Sequence, residues 1–201
     1  VKENEIFCLL GHNGAGKTTT FNTLIGSLAA TSGDAWIHGL NITSDRDKLR
    51  TSLGVCPQFD IVMENVKAKD QLIFQAQLAG LNQKDSEKEA QRLLEALELE
   101  FKANEYASNM SGGQKRRLTL ALALIGSPSV IVLDEPTTGL DPNNRRHVWK
   151  LLQELKKEHT IVMTTHSLEE ADALADTIAI MADGKLEVIG SSLELKRKHG
   201  S

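Results

Sequence analysis

A glycine-rich loop between an apolar run and a helical segment constrains the fold of this chain most. Residues 11–18 read GHNGAGKT and match the pattern G-x-x-x-x-G-K-[ST]. Ile6 to Leu10, directly before the loop, is a continuous apolar run, as expected of a strand buried on both faces of a parallel sheet. Lys17 to Leu28, directly after it, has apolar residues at helical spacing. The order strand, loop, helix predicts a fold of alternating strands and helices.

The residue types in this loop suit a triphosphate. Glycines let the backbone turn so that its N–H groups point at phosphate oxygens, and the following helix adds the positive end of its dipole. Lys17 brings a positive charge to the β- and γ-phosphates, and the Thr18 hydroxyl is a ligand for Mg²⁺. The sequence therefore predicts a nucleoside triphosphate site.

A second apolar run ends in two carboxylates. Val130 to Leu133 is followed by Asp134 and Glu135, so both carboxylates are expected at the carboxyl edge of the sheet, where open α/β sheets bind ligands. Asp134 is expected to bind Mg²⁺, and Glu135 is expected to polarise the water that attacks a γ-phosphate. Taken alone, the pair is also typical of helix-capping carboxylates, but the loop upstream favours the functional interpretation.

The rest of the chain alternates strand and helix signals, with one helical interruption. Between about residues 65 and 105 no strand pattern appears, and two helices are expected, one ended by Gly80 and one over residues 86–99. Further strands are expected at 35–38, 53–56, 160–164, 177–181 and 186–189, and further helices at 44–51, 118–125, 141–157, 167–175 and 193–199. The pattern predicts an α/β fold with a largely parallel sheet and an inserted helical part.

Composition excludes several classes of protein. The 201 residues suffice for one domain with its own core, and 40% apolar with 25% charged residues is typical of a soluble globular protein. A net charge of −4 and 4% aromatic residues argue against a dedicated nucleic-acid binder. The longest apolar run, Leu118 to Ile125, is shorter than the roughly 20 residues of a membrane span. Because the chain opens on Val1, almost directly in a strand, we expect it to be a piece of a longer protein.

The two cysteines do not indicate a metal site. Cys8 and Cys56 form no CxxC and have no histidine nearby at zinc-ligand spacing. Both lie in apolar runs, which indicates buried, free thiols. Reduced thiols are typical of a cytosolic setting.

A third motif points to a family. Residues 110–114 read MSGGQ, and together with the glycine-rich loop and the Asp134-Glu135 pair they resemble the ATPase domain of ABC transporters. Three further features agree with motifs of that family, in the same chain order: Gln58 with its Q-loop, residues 139–141 (GLD) with its D-loop, and His166 with its switch histidine. The helical stretch lies between the Q-loop and the MSGGQ motif, where the family carries its α-helical subdomain. The resemblance covers nearly the whole chain.

The resemblance implies a fold and a domain organisation. The implied fold is a P-loop NTPase, α/β with a largely parallel sheet, plus an inserted α-helical subdomain. One ABC ATPase domain is expected over residues 1–201, with an α/β core at about 1–58 and 118–201 and the helical subdomain at about 59–117. Four stretches of the sequence are most similar to the A subfamily of eukaryotic ABC transporters, many of which move lipids, although the ATPases of prokaryotic drug exporters share much of these stretches. The stretches concerned are residues 11–20 (GHNGAGKTTT), 54–58 (GVCPQ), 133–142 (LDEPTTGLDP) and 190–193 (GSSL).

The resemblance also implies roles for individual residues. The implied nucleotide-binding residues are Gly11, His12, Asn13, Gly14, Ala15, Gly16, Lys17, Thr18 and Thr19. Catalytic roles are implied for Lys17, Gln58, Glu135 and His166, and Mg²⁺ ligation for Thr18, Gln58 and Asp134. Implied to act on the ATP of a partner domain, in a head-to-tail dimer with two composite sites, are Ser111, Gly112, Gly113, Gln114 and Asp141. ATP and Mg²⁺ are the implied cofactors.

The implied function is that of a motor. ATP binding and hydrolysis, with dimerisation around ATP, would drive movement of a substrate, lipids among the candidates, across a membrane. The implied partners are a second ABC ATPase domain and a transmembrane domain, the implied location is the cytoplasmic face of a membrane, and no nucleic-acid partner is expected. The main alternative is a soluble ABC-type ATPase acting on nucleic acid or ribosomes, and a P-loop kinase is a more distant one. No adenine-stacking residue is assigned, since Phe7, inside the first strand, is the only aromatic residue before Gly11.

Two basic runs lie outside these roles. Lys115-Arg116-Arg117 stands near a helix start, where positive charge is unfavourable to the helix dipole. We interpret this run, and Lys196 to Lys198, as solvated faces. Contact with phosphate or lipid headgroups is the alternative for the first run.

Overall fold

The computed structural model describes residues 1–50 and 52–199. Its strands are β1 (Ile6–Leu10), β2 (Trp36–Ile37), β3 (Leu40–Asn41), β4 (Leu53–Cys56), β5 (Val130–Asp134), β6 (Thr160–Thr165), β7 (Thr177–Ala182) and β8 (Lys185–Gly190). Its α-helices are α1 (Lys17–Leu24), α2 (Arg46–Arg50), α3 (Ala68–Leu78), α4 (Gln83–Ala96), α5 (Gly112–Leu124), α6 (Pro142–Leu155), α7 (Leu168–Leu174) and α8 (Ser192–His199). Two short 3₁₀ turns, Glu100–Lys102 and Ala107–Asn109, lie between α4 and α5.

Six strands form the central sheet, in the order β4-β5-β6-β1-β7-β8. The pairs from β4 to β7 are parallel, and β8 pairs antiparallel with β7 as a hairpin. This is the α/β fold with a largely parallel sheet that the sequence predicts. Because β4, β5, β6 and β1 are parallel neighbours, the loops that follow them meet along one edge.

Helices cover both faces of this sheet, which is why its strands are apolar without alternation. On one face, Phe21 of α1 packs with Val130 and Val132 of β5. On the other face, the alternate residues Ile131 and Leu133 join a larger core that includes apolar side chains of α5, α6 and α7. The strands are thus held between two layers of helices.

The helical stretch adds its own buried face to that larger core. Leu72 of α3 and Leu93 and Leu94 of α4 are fully buried in it. Helix α5 packs against both of these helices and against β4, so it joins the helical stretch to the sheet. The division into core and subdomain stays a prediction, and the expected boundary at residue 117 falls within α5.

Several element ends differ from the predictions for physical reasons. Helix α1 ends at Leu24 because Gly26 adopts a left-handed conformation, with φ of +76°. Helix α4 begins at residue 83, since the Asn82 side chain accepts a hydrogen bond from the Asp85 N–H. The ribbon of β2 and β3 has two residues in each strand, too few for a periodicity signal, and β3 was not predicted. The helix expected over 44–51 ends in a residue that lies outside the described part of the chain.

The cysteines are buried and free, as predicted. Burial raises the pKa of the Cys56 thiol to about 11 and also raises the pKa of Cys8. Thiols with such pKa values are poor nucleophiles at neutral pH. Over residues 1–50 and 52–199, no helix has the length and apolar character needed to cross a membrane.

Candidate functional site

The glycine-rich loop lies between the end of β1 and the start of α1. Gly16 precedes the helix with φ of +101°, a conformation that side chains disfavour. A Cβ on Gly11 would lie 2.6 Å from the Met181 carbonyl oxygen of β7, so glycine is needed there for close approach. The Lys17 ammonium is 4% exposed and donates to the carbonyls of Gly11 at 2.9 Å and His12 at 3.2 Å. The loop therefore wraps around its own lysine.

A cluster of oxygen atoms lies where β5 ends. The Asp134 carboxylate accepts a hydrogen bond from the Thr164 hydroxyl at 2.5 Å and one from the Thr18 hydroxyl at 3.4 Å. Thr164 comes from the neighbouring strand β6, and Thr18 from the first turn of α1. The predicted pair Thr18 and Asp134 thus share one hydrogen bond, while Gln58 is not in contact with either of them through a hydrogen bond of the described residues.

Four side chains converge on the carboxylate of Glu135. Lys17 Nζ is 3.3 Å from Oε1, and His166 Nδ1 is 3.1 Å from Oε2. The Thr138 hydroxyl donates to Oε2 at 2.9 Å, and the Gln58 amide donates to it at 3.5 Å. The structure thus brings together all four residues predicted to be catalytic, from the ends of four adjacent strands.

These contacts outweigh the effect of burial on Glu135. Its burial by itself raises the pKa of the carboxyl group, but the Thr138 hydrogen bond and the charges of His166 and Lys17 lower it. The net result is a pKa below the usual value of 4.5 for glutamate. Glu135 is therefore a carboxylate at neutral pH and can accept a proton.

The backbone of Glu135 is strained. Its φ is +45°, which is unfavourable for a residue with a side chain. Its N–H donates to the Thr164 hydroxyl at 3.0 Å. Thr164 therefore ties the conformation of Glu135 to the position of Asp134, because its one hydroxyl contacts both.

A cavity of about 540 Å³ opens in front of these groups. It is lined by Asn13, Gly14, Gly16, Lys17, Thr18, Thr19, Gln58, Glu135, Thr138 and His166. Of the residues predicted to bind the nucleotide, Gly11, His12 and Ala15 belong to the loop but do not line this cavity. The cavity presents backbone N–H groups, a lysine, a carboxylate and hydroxyls around one space, which suits a phosphate chain.

The MSGGQ motif and Asp141 lie away from this cavity. Ser111 caps α5, with its hydroxyl accepting from the Gln114 N–H and the Gln114 side chain accepting from the Ser111 N–H. Asp141 caps α6, accepting from the N–H groups of Asn143 at 3.0 Å and Asn144 at 3.2 Å. The two caps adjoin, since a Cβ on Gly113 would lie 2.4 Å from the Asn144 side chain. The five residues predicted to act in trans are therefore absent from the lining of the cavity in their own chain.

Three residues of this region were missed by the sequence interpretation. Thr138 contacts Glu135 and follows it by three residues, so the spacing in the sequence could have indicated this contact. Thr164 was predicted only as the last residue of a strand. Arg116 was interpreted as solvated, but it is 3% exposed and donates to backbone carbonyls next to Gln58 and Glu135, so that interpretation was wrong. The second basic run, residues 196–198, is exposed as predicted.

Comparison with known proteins shows which family this chain is similar to. Residues 1–138 match the family model described as ABC transporter. The chain is 48% identical over 199 residues to the human phospholipid-transporting ATPase ABCA3, covering 99% of this chain and 12% of that protein. It is 47% identical over 203 residues to ABC transporter A family member 9 of Arabidopsis thaliana, covering 100% of this chain and 21% of that protein. The chain thus spans about an eighth to a fifth of the length of these relatives.

Solved structures show the same fold. The structure of cbiO1 from Clostridium perfringens, part of an ABC transporter complex, superposes with a TM-score of 0.90 at 29% identity, covering 100% of this chain and 82% of the other. A dimeric ATP-binding cassette in a post-hydrolysis state with ADP and Pi superposes with a TM-score of 0.84 at 26% identity, covering 95% and 87%. The predicted P-loop NTPase fold and the predicted family are both confirmed. The loop, the carboxylate cluster, the family match and these superpositions together show that the chain belongs to the ABC transporter family.

Proposed function

We propose that this chain binds ATP with Mg²⁺ and hydrolyses ATP as the motor domain of a membrane transporter. One observation carries the proposal: the Glu135 carboxylate faces the cavity of the phosphate loop, in contact with Lys17, Gln58 and His166. A base, a cation and two polar groups thus adjoin the space that fits a γ-phosphate.

The donor set fits Mg²⁺. The Thr18 hydroxyl and the Asp134 carboxylate are 3.4 Å apart at the mouth of the loop, and hydroxyl and carboxylate oxygens are the ligands that Mg²⁺ prefers. The amide oxygen of Gln58, whose NH₂ group donates to Glu135, would be a further ligand of the same kind. When bound, the cation neutralises charge that develops on the phosphate oxygens.

ATP binding changes the surroundings of the base. Lys17 is shared between the loop carbonyls and Glu135, and a triphosphate in the loop attracts it away from the carboxylate. Glu135 then loses a cation partner and becomes a stronger proton acceptor for a water beside the γ-phosphate. Thr138 and His166 continue to orient its carboxylate.

A second copy or a related domain completes the site. The N-terminal end of α5, with Ser111 and Gly112 exposed, is a further anion-binding helix end that its own cavity does not use. Asp141 lies next to it. The dimeric cassette that superposes on this chain supports a head-to-tail pair in which these residues meet the ATP of the partner.

The transmembrane partner is proposed to dock on the helical stretch. Residues 59–63 lie beside α3, because the Gln71 side chain bonds to the backbone of Met63 and Val66. Phe59, Ile61 and Phe74 of this region are exposed apolar side chains. A membrane domain that docks on these exposed side chains, the first of which is one residue after Gln58, would be coupled to the ATP site. The name of the similar human phospholipid-transporting ATPase favours a phospholipid as the substrate. The proposed location is the cytoplasmic face of a membrane.

Light scattering on Glu135→Gln, with and without saturating Mg-ATP, tests the proposal. We expect hydrolysis to be lost, ATP binding to be kept and a dimer to form only with ATP. Ser111→Arg in the same background is the matched control, which should bind ATP and stay a monomer. An ATP-bound protein that remains a monomer in both variants would contradict the in-trans roles, and undiminished hydrolysis in Glu135→Gln would remove Glu135 as the base.

A further inference from the structure

Arg116 is a buried cation outside the nucleotide cavity. It lies in the second turn of α5 and is 3% exposed, although both of its neighbours in the sequence are more exposed. A charge that is taken out of water destabilises the fold unless its donors are satisfied. The positions of those donors therefore indicate what the side chain does.

The guanidinium bonds to two separate segments of backbone. On one side it donates to the carbonyls of Pro57 at 2.6 Å and Gln58 at 3.3 Å. On the other side it donates to the carbonyls of Pro136 at 2.7 Å, Asp134 at 3.2 Å and Glu135 at 3.4 Å. Among the described residues its one acidic partner is the carboxylate of Asp60, which at 3.5 Å is more distant than all five of these carbonyls. Arg116 thus acts mainly as a planar fork for neutral carbonyls, a geometry that lysine does not reproduce.

The two segments carry the two side chains that meet in the cavity. The Gln58 amide donates to the Glu135 carboxylate at 3.5 Å. Glu135 also has a strained backbone, with φ of +45°, and such a conformation persists only where the surroundings hold it. Thr164 holds its N–H, and its carbonyl accepts from the Arg116 guanidinium at 3.4 Å and from the Thr138 N–H at 3.2 Å. Removal of Arg116 takes away one of these restraints, together with the hydrogen bonds that link the Gln58 segment to the end of β5.

Arg116 also connects these segments to the exposed end of α5. Ser111 and Gln114 form the capping box one turn earlier in the same helix. A rigid helix transmits a shift of its first turn to its second turn, so a contact at Ser111 moves the guanidinium. The carbonyls of Gln58 and Glu135 move with it.

We infer that Arg116 is a positioning residue that sets Gln58 against Glu135 and couples both to the partner-facing end of α5. This inference rests on the proposed function, because it assigns the effect of Arg116 to ATP turnover. Arg116 does not contact the nucleotide cavity, so its removal should spare ATP binding.

The neighbouring Arg117 provides a matched control. It lies on the same helix, but its guanidinium donates to the carbonyls of Leu97 and Glu98 in the helical stretch, away from Gln58 and Glu135. Substitution of either arginine removes hydrogen bonds to backbone carbonyls, so both substitutions should lower the melting temperature. Only the substitution of Arg116 should displace Gln58 and Glu135.

The experiment compares Arg116→Gln, Arg116→Lys and Arg117→Gln by melting temperature, by Kd for Mg-ATP and by kcat and KM at 15 °C. We expect Arg116→Gln to lower kcat about 10- to 100-fold with little change in Kd, because displacement of a catalytic group by about 1 Å has effects of that size. Arg116→Lys should show a similar loss of kcat while it keeps the charge, and it also serves as the test should Arg116→Gln fail to fold. Arg117→Gln should keep kcat within about twofold.

Three results would overturn the inference: wild-type kcat in Arg116→Gln, full activity in Arg116→Lys, or equal losses of kcat in Arg116→Gln and Arg117→Gln. The first two results would show that the Arg116 guanidinium does not position Gln58 and Glu135. The third would show that the loss of kcat comes from general destabilisation of the fold. Failure of the wild-type chain to hydrolyse ATP is a separate result that contradicts the proposed function itself.

Discussion

The substitution Thr164→Val tests how the strained backbone of Glu135 is held in place. Thr164 is 2% exposed, and its hydroxyl donates to the Asp134 carboxylate and accepts from the Glu135 N–H. Valine keeps the shape of the side chain and removes both bonds. A hydrogen bond to a charged group contributes about 1.5–3 kcal/mol, and a buried N–H left unpaired costs about 1–3 kcal/mol. We therefore expect the free energy of unfolding to fall by about 4 kcal/mol.

Urea denaturation at 25 °C measures this loss, and Thr160→Val on the same strand is the control. The Thr160 hydroxyl accepts one hydrogen bond, from the Asn4 N–H at 3.0 Å, and lies far from the carboxyl edge of the sheet. Its removal should cost about 1 kcal/mol and leave kcat unchanged. Thr164→Val should in addition lower kcat, since Glu135 loses one of its backbone restraints. Equal losses of stability in the two variants would refute the reasoning about shared bonds.

Three further predictions concern the loop and the base. Lys17→Ala should weaken ATP binding at least tenfold, about 1.4 kcal/mol, because a buried cation at the phosphates is lost, and an unchanged Kd in calorimetry would contradict its role. Gly11→Ala should abolish binding through misfolding of the loop, since the new Cβ would lie 2.6 Å from the Met181 carbonyl and backbone does not yield easily; a wild-type melting temperature would exclude that clash. The pKa of Glu135 is lowered by folding, so its charged form contributes stability above the unfolded pKa of about 4.5, and this contribution is lost as pH falls through the lower folded value. The difference in unfolding free energy between wild type and Glu135→Gln should therefore change as the pH falls from about 5 to 3, and a difference that stays constant over this range would contradict the lowered pKa.

The main strands and the site could be predicted from sequence because their signals are local. Strands β1 and β5 are continuous apolar runs, and each ends where a motif begins, so the parallel sheet brings the motifs together. Gln58 and His166 could be placed at the same edge for the same reason, because they come just after β4 and β6. The long-range result, four side chains around one carboxylate, depends on the strand order β4-β5-β6-β1, which was not predicted because no local signal in the sequence describes it.

The remaining features depend on packing that local signals do not describe. The charge run at residues 115–117 looked solvated because each residue type is usually exposed. A signal was nevertheless present, since Gly113, Arg116 and Leu120 lie at spacings of three and four and share the buried face of α5. The helix itself was predicted to begin at residue 118, because its first turn is polar and glycine-rich and is stabilised by the Ser111 cap instead of apolar contacts.

The position of β1 has a consequence for synthesis of the protein. This strand leaves the ribosome before its sheet neighbours β6 and β7, which follow it in the chain by more than 150 residues. The loop after it is closed by the same late segments, through bonds of Gly11 to Thr165 and of Gly184 to Ala15. At typical elongation rates of about 5–20 residues per second, β1 waits roughly 10–30 s without a partner on either edge. The nascent chain therefore carries its glycine-rich loop well before the segments that complete it, and during that interval β1 is an apolar segment open to chaperones and to misassembly.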